Sequence, residues 1–142
     1  MFTSVQRRFL GSQRVARLAT SDLLGVPHIV PVCFVLREDA VYIALDSKPK
    51  SVGPMALKRV SNILDNSRVS LLVDRYDEDW SFLAWMRLDG HAEVVLGGAA
   101  HGDAMRLLQG RYEQYRSVLT GDEPLIVVRV DNVVAWAASA NW

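Results

Sequence analysis

Apolar residues along the chain follow two periods, and the switches between them mark the elements. Residues 4–10 have the pattern of a short amphipathic helix, with Ser4 placed to cap its start and Gly11 to end it in a left-handed conformation. Residues 14–20 (RVARLAT) and 28–36 (HIVPVCFVL) read as strands rich in β-branched and aromatic side chains, joined by the turn SDLLGVP. After the turn REDA, residues 41–45 (VYIAL) make a third strand. The segment DSKPKSVGP then loses all periodicity, as two prolines and a glycine predict for a loop. Met55, Leu57, Val60, Ile63 and Leu64 restore helical spacing, predicting a helix over 55–65 that starts where the loop stops.

Further on, residues 68–74 (RVSLLVD) read as a strand, RYDED as an acidic turn, and 80–96 as one long strand bent at Asp89-Gly90. Met105, Leu108, Tyr112, Tyr115 and Leu119 recur at i+3 and i+4, which predicts a second substantial helix over 104–119, ended by Gly121. Residues 125–130 and 133–139 read as two strands joined by an Asp131-Asn132 hairpin turn. Six to seven strands joined by short turns, with about three helices, are too few helices for parallel crossovers. The expected fold is α+β, mainly β: a single domain over 1–142 whose antiparallel sheet closes into a barrel.

Composition narrows the possible partners. Sixteen basic and 16 acidic residues give zero formal charge, so no whole-molecule field draws the chain to nucleic acid, and no nucleic-acid partner is expected. Apolar runs are broken within ten residues, short of the roughly 18–20 that a spanning helix needs, so no membrane insertion is expected. The single cysteine, Cys33, excludes an intramolecular disulfide, and MFTSVQRRFLGSQ lacks the apolar centre of a secretory signal; the expectation is a cytoplasmic protein.

Within this neutral chain one segment is locally cationic. All three lysines, Lys48, Lys50 and Lys58, fall within eleven residues beside Arg59, and no acid lies between Ser47 and Ser61. A stiffened loop running into a helix start, where free N–H groups and the dipole favour anions, suits a phosphate or carboxylate. A solvated loop carrying lysine for solubility is the plainer alternative. Of the four tryptophans, Trp85 and Trp136 read as barrel core, Trp80 could stack on a planar ring, and Trp142 is placed either in packing or in a dimer interface. His28, His91 and His101 have no metal-ligand spacing, and Cys33 reads as structural, so neither a metal nor a Cys–His site is expected. No GxSxG, P-loop or GxGxxG is present, and Gly97-Gly98 alone signals nothing.

Taken in order, RVARLAT, GVPHIVPVCF, VYIALDSKPK, LKRVSNI, RVSLLVDRYDEDW and MRLDGHAEVV resemble the pyridoxamine-phosphate-oxidase-like split-barrel superfamily, from about residue 14 to 96 and more weakly beyond. SKPK, LKR-x-x-N-I and Y-x-E-D-W together are similar to its F420-dependent oxidoreductase branch, whose members bind a deazaflavin in place of FMN. The resemblance implies a Greek-key split barrel and a homodimer with cofactor sites at the subunit interface. It also implies residue roles. Lys50, Lys58 and Arg59, with Lys48 and Ser51 of the same loop, would hold the phosphate and acidic tail; the backbone of His28, Ile29, Val30 and Pro31 would meet the ring. Asn62 would support the loop and Trp80 would lie near ring or tail. Leu64 and Asp65 stand where relatives have basic residues after the helix asparagine.

Three functional expectations follow. The first is hydride transfer between F420 and a small molecule, with the ring carrying the hydride and the protein binding, orienting and excluding water. The second keeps the fold but uses FMN, whose single phosphate needs fewer cations. The third is a non-catalytic flavin, deazaflavin or haem binder. No residue is required as an acid or base.

Overall fold

The computed structural model describes residues 1–46, 53–140 and 142. Seven antiparallel strands form one curled sheet in the order β2-β1-β5-β6-β7-β4-β3, the split barrel expected. The strands are β1 (Ala16–Ser21), β2 (Pro27–Val32), β3 (Val35–Arg37), β4 (Ala40–Ala44), β5 (Arg68–Arg75), β6 (Ala84–Val95) and β7 (Leu125–Ala137). The helices are α1 (Ser4–Ser12), α2 (Lys58–Asp65), α3 (Ala99–Arg111) and α4 (Tyr115–Val118).

Several boundaries differ from the sequence expectation, each for a tertiary reason. The α1 cap is Thr3, in a reciprocal capping box with Gln6, and Gly11 lies within the helix. The expected strand 28–36 divides at Cys33-Phe34: β2 pairs with β1, and β3 pairs with β4 at the other edge of the sheet. The chain turns this corner with the Phe34 N–H donating to the Tyr112 hydroxyl at 3.1 Å, while that hydroxyl donates to the Arg14 carbonyl at 2.8 Å. The same residue ends α3, so the expected helix over 104–119 becomes two. Met55 lies in a 3-10 turn (Pro54–Ala56), and α2 begins only at Lys58, with Val60 and Ile63 buried and Leu64 exposed.

The expected Asp131-Asn132 hairpin does not form. β7 is one strand of 13 residues running beside all of β6, and the register slips there: Asp89 opposes Asn132 while Gly90 opposes Val130. Asp131 is therefore the extra residue of a β-bulge. A Cβ on Gly90 would lie 2.1 Å from the Arg129 carbonyl oxygen, so this position accepts only glycine. The extra residue inverts the inside–outside parity of the strand. Ile126, Val128 and Val130 point inward before it, and Val133 and Ala137 after it. Trp136 is consequently turned outward, 46% exposed, opposite Trp85 on the outer face. The expectation that both tryptophans fill the core fails through this bulge and through the parity of β6, where Ala84, Met86 and Leu88 take the inward positions. Trp142 sets its ring 4.9 Å from that of Phe9 at a tilt of 47° and packs, partly buried, against the barrel core.

Two cores result. The first fills the barrel with Leu18, Leu71, Met86, Leu88 and Val128, plugged by Phe9 and Leu10 of α1 and by Val60 and Ile63 of α2. The second lies outside β3, β4 and β7, under Met105, Leu108, Tyr112 and Tyr115 of α3 and α4. Near it Glu123, 7% exposed, accepts from the N–H groups of Thr120 and Gly121 at 2.9 Å each and from the Thr120 hydroxyl at 3.2 Å.

Candidate functional site

α2 brings the cationic residues against the strands. It starts at Lys58 and Arg59 with no side-chain cap and no acid in its first turn, an arrangement the helix dipole disfavours unless an anion sits nearby. Lys58 Nζ lies 3.9 Å from Asp22 Oδ2. The other Asp22 oxygen holds the β1–β2 turn by accepting from the Leu24 and Val26 N–H groups at 2.9 and 3.0 Å. Arg59 is half-buried, and its Nε has no hydrogen-bond partner among the described residues. Burial lowers the guanidinium pKa, opposed by the adjacent Asp46 carboxylate and by Tyr115.

Asn62 is 1% exposed and donates through Nδ2 to the Thr20 hydroxyl at 3.0 Å. Thr20 is the β1 partner of His28. Asn62 Oδ1 and His28 Nδ1 both lack partners among the described residues. Asn62 therefore fastens α2 to the sheet at His28, while its expected link to the loop falls on residues that are not described.

Beside Arg59 a cavity of about 230 Å³ opens at the end of β2. Val15, Val32, Ile43 and Ala44 form its apolar wall, and Pro31 continues it toward β2. Its polar end gathers Cys33, Asp46, Arg59 and Tyr115. Asp46 is 8% exposed, and Cys33 is half-buried. Burial, followed by the charge and hydrogen bond of Cys33, raises the Tyr115 hydroxyl pKa, so this group stays a proton-bearing donor. A wider groove of about 520 Å³ on the outer face contains Asp89, but Asp89 is already paired: it accepts from Ser70 at 2.7 Å, Arg87 at 3.0 Å and Asn132 at 3.3 Å. The smaller cavity is the one with an unpartnered donor.

Of the residues singled out by sequence, Pro31 and Arg59 line this cavity, and Asn62 bonds to Thr20, the strand partner of His28. Ile29 and Val30 lie in β2, an edge strand of the sheet among the described residues; Ile29 is 64% exposed. Lys48, Lys50 and Ser51 lie outside the described residues, in the segment that leaves Asp46. Trp80, 67% exposed, stands on a 3-10 turn between β5 and β6. Strand register puts that turn at the same sheet end as Val15 and Val32, although Trp80 does not line the cavity. Sequence reasoning missed Cys33, Asp46 and Tyr115. Tyr115 sits in an i+3, i+4 apolar series that reads as packing, and only the adjacency of Asp46 to the lysine loop could have drawn notice to it.

The fold falls within a known family. A family model described as pyridoxamine 5'-phosphate oxidase matches residues 2–137, and the chain belongs to that family. Among solved structures, a conserved hypothetical protein from Mycobacterium tuberculosis is 17% identical, with a TM-score of 0.76 over 97% of this chain and 86% of that one. An F420 reductase is 20% identical, with a TM-score of 0.64 over 90% and 94%. A haem storage protein from Vibrio cholerae is 14% identical, with a TM-score of 0.69 over 92% and 89%. These likenesses establish a shared fold. The curated proteins contain no match to the sequence. No helix is long and apolar enough to cross a membrane, and among the described residues no group of three or more His, Cys, Asp and Glu could hold a metal.

Proposed function

We propose that this chain is an F420-dependent oxidoreductase acting on a small molecule, with a deazaflavin held between β2, the lysine loop and α2. The observation that carries the reading is the uncapped start of α2, where Lys58 and Arg59 stand at the positive end of the dipole without an acid in the turn. Asp22 lies 3.9 Å from Lys58 and Asp46 stands beside Arg59, and the free N–H groups of this helix start still favour a bound phosphate. The residues fit such a group: among the described residues Arg59 Nε is an unpartnered buried donor, and β2 is an edge strand over residues 28–31.

In this reading Lys48, Lys50, Ser51, Lys58 and Arg59 hold the phosphate and tail, and the backbone of His28, Ile29, Val30 and Pro31 meets the ring. Asn62 keeps α2 at a fixed distance from β1, so the cations do not drift from the strand. Trp80 covers the ring or tail. When bound, F420 supplies a two-electron hydride carrier; the chain binds it, orients it and keeps water away. A homodimer with the sites at its interface is part of the proposal. It is supported by the exposed outer face that carries Ile29, Leu72 and Trp136, with Trp85 beside it. Sedimentation of a monomer at micromolar concentration would remove that part.

The test is to express the chain in an F420-producing host, denature the purified protein and identify the released small molecule by mass spectrometry. F420 is expected. FMN in its place supports the second reading, in which one phosphate engages the same cations. Released haem, or tight F420 binding without turnover over a panel of acceptors, supports a non-catalytic binder, a reading favoured by the likeness to the haem storage protein.

A further inference from the structure

We propose that the cavity at the end of β2 takes the carbonyl end of a small, uncharged ring compound, with the Tyr115 hydroxyl as the donor to its oxygen. Calling that ligand the hydride acceptor rests on the proposed redox role; the binding site itself does not.

Size, charge and donor supply each limit the ligand. A cavity of about 150 Å³ accommodates benzene, so about 230 Å³ suits one ring with a substituent. The wall of Val15, Val32, Ile43 and Ala44 provides apolar contact for that ring. At the polar end the buried Asp46 carboxylate lies beside Tyr115 and Arg59. A carboxylate accepting from Tyr115 would face the Asp46 carboxylate, whereas a neutral carbonyl gains the donor without that repulsion. The donor is available: the Tyr115 hydroxyl is engaged with the Cys33 thiol, a weak sulfur acceptor that a carbonyl oxygen outcompetes. Tyr115 keeps its proton because burial and Cys33 hold its pKa up, so it serves as a donor across the neutral range.

Cys33 makes the proposal testable without any cofactor, since it is the chain's single cysteine and it lines the cavity. The rate of Cys33 alkylation by iodoacetamide, followed by intact mass, is measured on the full chain with acetophenone, ethylbenzene or benzoate present. These probes share a ring and differ in the polar end, and none reacts with a thiol. Acetophenone is expected to slow alkylation at least fivefold, with ethylbenzene and benzoate each giving less than half of that protection. Tyr115→Phe, with unchanged circular dichroism, is expected to lose most of the acetophenone effect and keep the ethylbenzene effect. Benzoate protecting as well as acetophenone would overturn the proposal, because a cavity that takes the charged end equally well does not select a neutral carbonyl. So would a Cys33 that resists alkylation in the native chain, or that none of the probes protects. If Tyr115→Phe fails to fold, the three-probe contrast on the native chain decides alone. Failure to release F420 leaves these outcomes untouched, so the two readings fail separately.

Discussion

The barrel interior and the wall formed by α2, β2 and β4 are built from neighbouring residues under opposite rules. Inside, Leu18, Leu71, Met86, Leu88 and Val128 are each at most 1% exposed and carry no polar atom. At the wall, Asn62 and Asp46 are buried and Cys33, Arg59 and Tyr115 crowd one cavity. Of four buried side-chain atoms without a partner among the described residues, three are at this wall: His28 Nδ1, Arg59 Nε and Asn62 Oδ1. Buried polar groups are ordinarily satisfied, so this concentration among the described residues is what supports placing the proposed site at the wall.

The interior should break first. Gly90→Val would place a side chain against the Arg129 carbonyl, and a cost of about 3 kcal/mol or more is expected, read as a large fall in Tm or as insoluble protein. Next comes the seam between the two regions. Asn62→Ala leaves the Thr20 hydroxyl unpaired and unties α2, for a loss of about 1–3 kcal/mol in urea unfolding. If it is instead neutral, the buried bond does not hold the wall in place.

A smaller effect separates a satisfied buried charge from an unsatisfied one. Burial pushes the Glu123 pKa up, but N–H groups of Thr120, Glu123 itself and Gly121, then the Thr120 hydroxyl, pull it net below its ordinary 4.5. A depressed carboxylate contributes stability that is complete above its unfolded pKa and disappears as pH falls through the folded one. Glu123→Gln should therefore lower stability at pH 7 while flattening the loss below about pH 4.5, measured by thermal unfolding across pH. At the wall, Arg59→Gln should change Tm the least, because a half-exposed guanidinium beside the Asp46 carboxylate contributes about 1 kcal/mol or less.

The same contrast explains what could be read from the chain before its fold was known. Strand and helix periods located nearly every element, because one face of each is buried in the barrel and burial writes itself into the pattern. The β7 bulge escaped, since Asp131-Asn132 has the composition of a turn, and only the uninterrupted pairing with β6 makes it a bulge. Trp136 was misplaced for the same reason: one extra residue reverses the face. Of the cationic cluster expected from the lysines, Lys58 and Arg59 fall on described residues, together at the start of α2. Cys33, Asp46 and Tyr115 were not legible, because they come from a strand corner, a strand end and a short helix that only the tertiary fold brings together.

The most direct test is calorimetric titration of F420 and of FMN into the native chain and into Arg59→Glu. The account predicts micromolar or tighter F420 binding to the native chain, weaker FMN binding, a loss of at least tenfold in Arg59→Glu, and weakening of F420 affinity as salt is raised. No heat with either compound, or equal affinity in the native and Arg59→Glu proteins, would contradict the assignment of the α2 start as the cofactor's anion site.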